Sequence, residues 1–328
     1  MFSSHNISRF IRIVGYVIIA ITFAFLINNF LNYWADWPGV KKLLANYGLF
    51  GFEKLKNPIS GSLFTYALFQ LFLYIVLIFL VVFFVFKTPN QTLNKDSEIL
   101  SSLSAYIIRS AFWMVFIVGL VDLTISFLAT EKLLIIIFNE KIHLNLISPP
   151  FRIKFIHVPL IFVSMILGYF TRTLGFIWLA ILVIFAEFSI VITRFIFSYE
   201  QAFMGDLVRF WYGALFLFAS AHALIHEGHV RVDVLYTNFS DRARAWTNTI
   251  GSFLFGIPLC LIILFLGMSS KASIINSPLL SFEITQQGSS GLYVKYLMAA
   301  FLAIFALSML TQFTSYFMKN FNKIINSS

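Results

Sequence analysis

The chain has 328 residues, 59% hydrophobic and only 11% charged, with a formal net charge of +9 and a mean hydropathy of +0.88. A soluble domain of this size needs more charge to solvate its surface, so a water-soluble fold is excluded. The basic residues are scattered, with no run longer than Lys41-Lys42. That pattern suits loops and helix ends facing anionic headgroups, and it excludes nucleic acid as a partner.

Taken in order, the chain opens with Arg9 and Arg12 before an apolar run from Ile13 to Phe30. The run is too long for a signal-peptide core and no small-x-small cleavage site follows, so it reads as an uncleaved first span with a cytoplasmic N-terminus. Residues 32–60 form a polar-aromatic loop in which Tyr33, Trp34, Trp37 and Tyr47 suit the membrane interface. Leu63 to Phe86 is a second span, 87–97 a hydrophilic loop, and Tyr106 to Ala129 a third span holding Arg109 and Asp122. From Glu131 to Lys154 the reading is an outer loop with a short helical turn, closed by Ser148-Pro149-Pro150, which ends any helix. Phe155 to Phe170 is either a fourth span or an interfacial piece, and the span is preferred.

Arg172 to Phe197, Asp206 to His226, Gly251 to Gly267 and Leu292 to Met318 supply the remaining spans. The fold class is an all-α integral membrane protein of about eight transmembrane helices. Both ends are then cytoplasmic, which puts Arg231, Arg242 and Arg244 inside, as positive charges prefer. Lys41, Lys42, Lys54 and Lys56 fall outside, against that preference. Residues 1–170 form an N-terminal membrane extension of about four spans, and 171–328 a four-helix domain.

The densest polar block is His229-Val-Arg231-Val-Asp233-Val-Leu-Tyr236, followed by Ser240-Asp-Arg242-Ala-Arg244. Its valines alternate with opposite charges, so an extended backbone puts the two kinds on opposite faces. Ser240 is a plausible N-cap, with Asp241 favourably placed in the first turn of the next helix. Arg242, Arg244 and Trp246 give that helix an interfacial character, an amphipathic arm between the sixth and seventh spans.

A Gly-His-Val-Arg-Val-Asp block followed by Ser-x-Arg-x-Arg, between the second and third of four apolar segments, resembles the small membrane subunit of the tripartite ATP-independent periplasmic (TRAP) transporters, the DctQ family. Thr193 to Phe197 is similar to the Arg-Tyr-x-Phe end of that family's first helix. Asp206 stands where a Glu is common, and Gly251 to Pro258 and Gly288 to Lys295 are similar to its later motifs, though the usual Pro is missing at Ser290-Gly291-Leu292-Tyr293. The resemblance covers residues 172–318. It implies a scaffold subunit in the bacterial inner membrane, partnered by a large TRAP membrane subunit that carries the substrate and ion sites and by a periplasmic solute-binding protein. An ion gradient would drive import of a small solute, an organic acid. His229, Arg231, Asp233, Arg242 and Arg244 would orient the arm.

Polar residues inside spans are functional candidates by default. Glu187 lies near the middle of its span, Asp122 sits in the third, and His222 shares a helical face with His226. Each carboxylate either joins an ion path or pairs with a polar group on a neighbouring helix, and the pairing is preferred for a scaffold. The His222/His226/Glu227/His229 group departs from the His-Glu-x-x-His zinc spacing, and Gly228 breaks the helix, so His226 and Glu227 read as the water interface and His229 as part of the joint. Arg194, Glu200, Asp206 and Arg209 read as a periplasmic clasp rather than an anion site. Ala219 and Ala223 allow close helix packing, and lone Cys260 is a packing residue. No phosphate loop, catalytic carboxylate pair or nucleophile elbow occurs, so no enzyme activity and no cofactor are expected. The rivals to the scaffold reading are a self-sufficient transporter and a membrane metalloenzyme.

Overall fold

The computed structural model describes residues 4–173, 175–225, 236–284 and 291–326. Twelve helices occur among them: α1 Ser4–Trp34, α2 Gly39–Tyr47, α3 Gly61–Lys87, α4 Leu93–Thr130, α5 Leu133–Ile137, α6 Glu140–Ile147, α7 Pro149–Phe170, α8 Phe176–Phe197, α9 Ala202–Ile225, α10 Asp241–Gly267, α11 Asn276–Ser281 and α12 Lys295–Asn326. Eight of these, α1, α3, α4, α7, α8, α9, α10 and α12, are long and apolar enough to cross a bilayer. That follows from lipid physics, since a spanning segment must satisfy its backbone internally.

Three boundaries differ from the sequence expectation. The first loop folds into α2 and a short 3₁₀ turn, and Trp37 stacks on Tyr66 at 4.6 Å. Helix α4 starts at Leu93 and is 38 residues long, about 57 Å at 1.5 Å per residue. The pair Pro149-Pro150 begins a helix instead of ending one. A proline at the first helical positions gives up no hydrogen bond, because those N–H groups have no partner in the helix anyway. The fourth span therefore begins at Pro149 and is 22 residues long.

Helices α7 and α10 each contain a wide π-type turn, Ile153–His157 and Gly251–Gly256. Each turn lies just before a proline, Pro159 or Pro258. A proline ring collides with the carbonyl four residues earlier and donates no hydrogen bond. A local widening relieves both problems inside a membrane helix.

The chain separates into two compact units. The first comprises Met1–Leu100, Val232–Leu261 and Phe313–Ser328. In it α1 packs along α3, and fully buried Gln70 ties the Asn32 end of α1 together. Its amide donates to Asn32 Oδ1 at 2.7 Å, and its carbonyl accepts from Gly39 N at 2.8 Å. At the other end of α1, Arg12 Nε donates to Asp96 at 2.5 Å, and its Nη atoms reach Thr88 O and Oγ1 at 2.7 and 2.8 Å. Tyr16 and Gln91 also donate to Asp96.

The second unit comprises Ser101–Arg231 and Ile262–Gln312. Here α4 lies against the end of α7. Arg109 Nε donates to Gly168 O at 3.0 Å, an otherwise orphaned carbonyl in the last turn of α7, and Trp113 donates to Thr171. Two glycines permit this approach. A Cβ on Gly168 would lie 2.8 Å from Ser110 N and 2.9 Å from its Cα, and one on Gly175 would strike the Phe112 ring. Backbone cannot swing away as a side chain can. Gly168→Leu is expected to cost about 1–3 kcal/mol as an overpacked contact and to lower the melting temperature in detergent. Gly205→Ala, where the added methyl meets open space, should leave the melting temperature unchanged.

Candidate functional site: a buried carboxylate at the head of the last helix

Asp122 lies in α4 and is fully buried in the second unit, and its two oxygens have separate duties. Oδ1 accepts from Arg152 Nη1 at 2.9 Å and from His157 Nε2 at 3.0 Å. Oδ2 accepts from the backbone N–H of Tyr293 at 2.6 Å. Arg152 is 1% exposed and His157 0% exposed. A buried charge without a partner is prohibitive in hydrocarbon, and here the always-protonated guanidinium supplies the opposite charge. Arg152 also donates to Ser126 Oγ at 3.1 Å and to Leu146 O at 2.8 Å, and it stacks 3.9 Å over the Tyr293 ring.

The π-type turn of α7 places both donors. Arg152 precedes it and His157 ends it. The widened turn carries them to the same carboxylate although they lie five positions apart. Because a carboxylate oxygen only accepts, His157 Nε2 carries the proton. In the neutral ring Nδ1 then accepts from the Tyr296 hydroxyl, 3.0 Å away. Burial pushes the Tyr293 phenol up from its usual range, with the Arg152 charge working in the opposite direction. Its hydroxyl donates to Ile147 O at 2.8 Å.

A second carboxylate acts on the neighbouring amide. Asp206 Oδ2, from buried Asp206 near the start of α9, accepts from Leu292 N at 3.0 Å. Two successive amides, at the approach to α12, are thus held by carboxylates from two other helices. The positive end of a helix dipole is where negative charge is most favourable. Chemically this is a clamp. Among the described residues each of its carboxylates has an opposite charge within 4 Å, Arg152 beside Asp122 and Arg209 beside Asp206.

The other expected residues lie elsewhere. Arg209 stands 3.7 Å from Asp206 Oδ1 and Arg194 3.4 Å from Glu200, with Arg209, Arg194 and Glu200 exposed. The Arg194–Glu200 pair is exposed on both sides and contributes little. Nearby, Tyr199 donates to Glu131 at 2.6 Å, and burial, reinforced by that hydrogen bond, pushes the Tyr199 phenol up to about 12. The His222 ring lies 4.3 Å from that of Phe176. Glu187 is exposed on α8. In the first unit, Ser240 caps α10 by accepting from Ala243 N at 3.3 Å. Arg244 folds back to donate to Tyr236 O and Thr237 O at 3.2 and 2.6 Å, while Arg242 is exposed. His226, Glu227, His229, Arg231 and Asp233 lie outside the described residues. Sequence reasoning found Asp122 and missed Arg152, His157, Tyr293 and Tyr296. The available signal was a positive charge and a histidine inside a span, concealed while the proline pair was read as a stop.

Asp122→Leu leaves Arg152 buried without its counter-charge, which is expected to cost about 3–5 kcal/mol. The loss is measured as folded yield and melting temperature by size exclusion in detergent. Adding Arg152→Met removes the stranded charge and should recover most of the yield.

A family model described as "Tripartite ATP-independent periplasmic transporters, DctQ component" matches residues 180–318. No curated protein and no solved structure matches the chain. The matched stretch runs from α8 through most of α12 and includes Asp206, Tyr293 and Tyr296, whereas Asp122, Arg152 and His157 precede it. The protein has eight helices long and apolar enough to cross a membrane, and its residues 180–318 are similar to the DctQ component of the tripartite ATP-independent periplasmic transporters.

Proposed function

We propose that the chain works as the small, scaffold subunit of a TRAP-type secondary transporter in the bacterial inner membrane. The observation that carries this reading is the DctQ match over residues 180–318. A large membrane subunit would hold the substrate and ion sites, and a periplasmic binding protein would deliver a small solute, an organic acid, for import on an ion gradient. Residues 1–170 would enlarge the fixed part of the carrier. The clamp around Asp122 supports this, because it joins α4 and α7 to the start of α12 by fully paired buried charge.

Glu187 supports it from the other side. It lies eleven residues after Phe176 and ten before Phe197, about 16 Å and 15 Å of helix. It is exposed and has no hydrogen bond or ion pair among the described residues. A carboxylate facing lipid at mid-membrane is costly, so a donor from the large subunit would complete it.

The test is co-expression of the tagged chain with the candidate large subunit. Equal recovery of both supports the reading, and purification of a stable, monodisperse chain alone overturns it. An interhelical polar contact in a membrane is worth about 1–2 kcal/mol, so Glu187→Leu should weaken the complex about 5–30-fold, read as the dissociation constant in nanodiscs. Arg231 and Asp233 would fix the angle at which the arm leaves α9. Alanine at both positions is expected to reduce assembly or uptake, and unchanged values would remove them from this role.

A further inference from the structure

We infer that the first unit binds an anionic phospholipid at the start of α1, with the phosphate beside Arg9. This site lies outside the DctQ match and does not depend on the transport reading.

Two cavities meet at Arg9. One, of about 350 Å³, is polar and is lined by His5, Ser8, Arg12, Gln91 and Asn322 among others, with no carboxylate in its wall among the described residues. The other, of about 500 Å³, is apolar and is lined by Ile7, Phe10, Ile13 and Phe86. Arg9 borders both. A polar chamber beside an apolar trough, divided by one guanidinium, matches a molecule with a phosphate head and a hydrocarbon tail.

The charge accounting points the same way. Arg12 is committed to Asp96 and Thr88. Arg9 makes no hydrogen bond or ion pair among the described residues. Its guanidinium rests 6.0 Å from the centre of the Phe86 ring, and its Nε is buried without an acceptor. A buried N–H without a partner is costly, and a phosphate oxygen satisfies guanidinium donors with the geometry they prefer.

Depth selects the lipid. Helix α1 has 31 residues, about 46 Å. That exceeds a hydrocarbon layer of about 30 Å and reaches the headgroups on both sides. Arg9 lies in the second turn of α1, so a helix centred on that layer would put it at headgroup level, and Phe10 and Ile13 line the apolar trough. Basic pockets between membrane helices are the usual seats of anionic headgroups.

Native mass spectrometry of the full chain, titrated with phosphatidylglycerol or phosphatidylcholine, tests this. Phosphatidylglycerol should bind about fivefold tighter or better, the value of one well-placed cation. Arg9→Gln should abolish the preference. It should fold normally, since Arg9 has no hydrogen bond or ion pair to lose among the described residues. Lys319→Gln removes the same charge from an exposed position at the end of α12 and should change nothing. Phe10→Ser should weaken both lipids. The inference is overturned if the wild-type chain shows no preference, or if Arg9→Gln keeps it. It is also overturned if millimolar inorganic phosphate displaces the lipid while Phe10→Ser has no effect, which assigns the pocket to a free anion.

Discussion

The second unit depends on one carboxylate that has to be charged and has to be dry. Asp122 is fully buried, and a lone anion there would not survive in an apolar interior. Its oxygens are therefore saturated by a guanidinium, an imidazole and a backbone amide. Each donor comes with its own demand. Arg152 has to sit at the head of α7, His157 has to be presented five residues later on the same side, and Tyr293 has to approach just before α12 begins. Satisfying one charge thus fixes the starts of two helices against the body of a third. Hydrophobic burial gives membrane helices little such direction, because lipid is as apolar as leucine.

The first unit meets the same problem with different chemistry. At one end of α1 the pair Arg12–Asp96 is surrounded by Thr88, Tyr16 and Gln91. At the other end the neutral amide of Gln70 serves as donor and acceptor at once. Between these ends the contacts of α1 include a close approach at Gly15, which meets the Met318 side chain. Polar groups near the ends of spans set position, and small residues in the middle set distance.

Much of this fold is legible in the sequence because a spanning helix is a length and a hydropathy, and both are local. Eight apolar stretches become eight long helices. Where sequence and structure place a helix end differently, polar residues or prolines stand inside a helix rather than in a loop. Leu93 to Ser104 is helical because Asp96 is paired and Ser97 meets Ser315, not because the stretch is apolar. Pro149-Pro150 is a start because of where the chain comes from, which a dipeptide cannot announce. The site was half legible. Asp122 stands out as a charge inside a span. Its partners lie 30, 35 and 171 positions away, and no periodicity links them. Asp206 was noticed for Arg209, its neighbour in sequence, while its shorter contact is the distant amide of Leu292.

The length of α4 bears on how the protein meets its bilayer. A straight helix of about 57 Å cannot stand upright in an apolar layer of about 30 Å without leaving many residues in water. The stretch between Glu98 and Glu131 is largely apolar and itself outlasts that layer. Tilting or local thickening of the membrane takes up such a mismatch at a modest cost per ångström. Thinning the membrane would tip α4 further, and the Asp122 clamp would carry α7 and the beginning of α12 along with it. The inclination of this part of the protein is then a property shared with the surrounding lipid, and bilayer thickness becomes a variable that acts on the protein from outside.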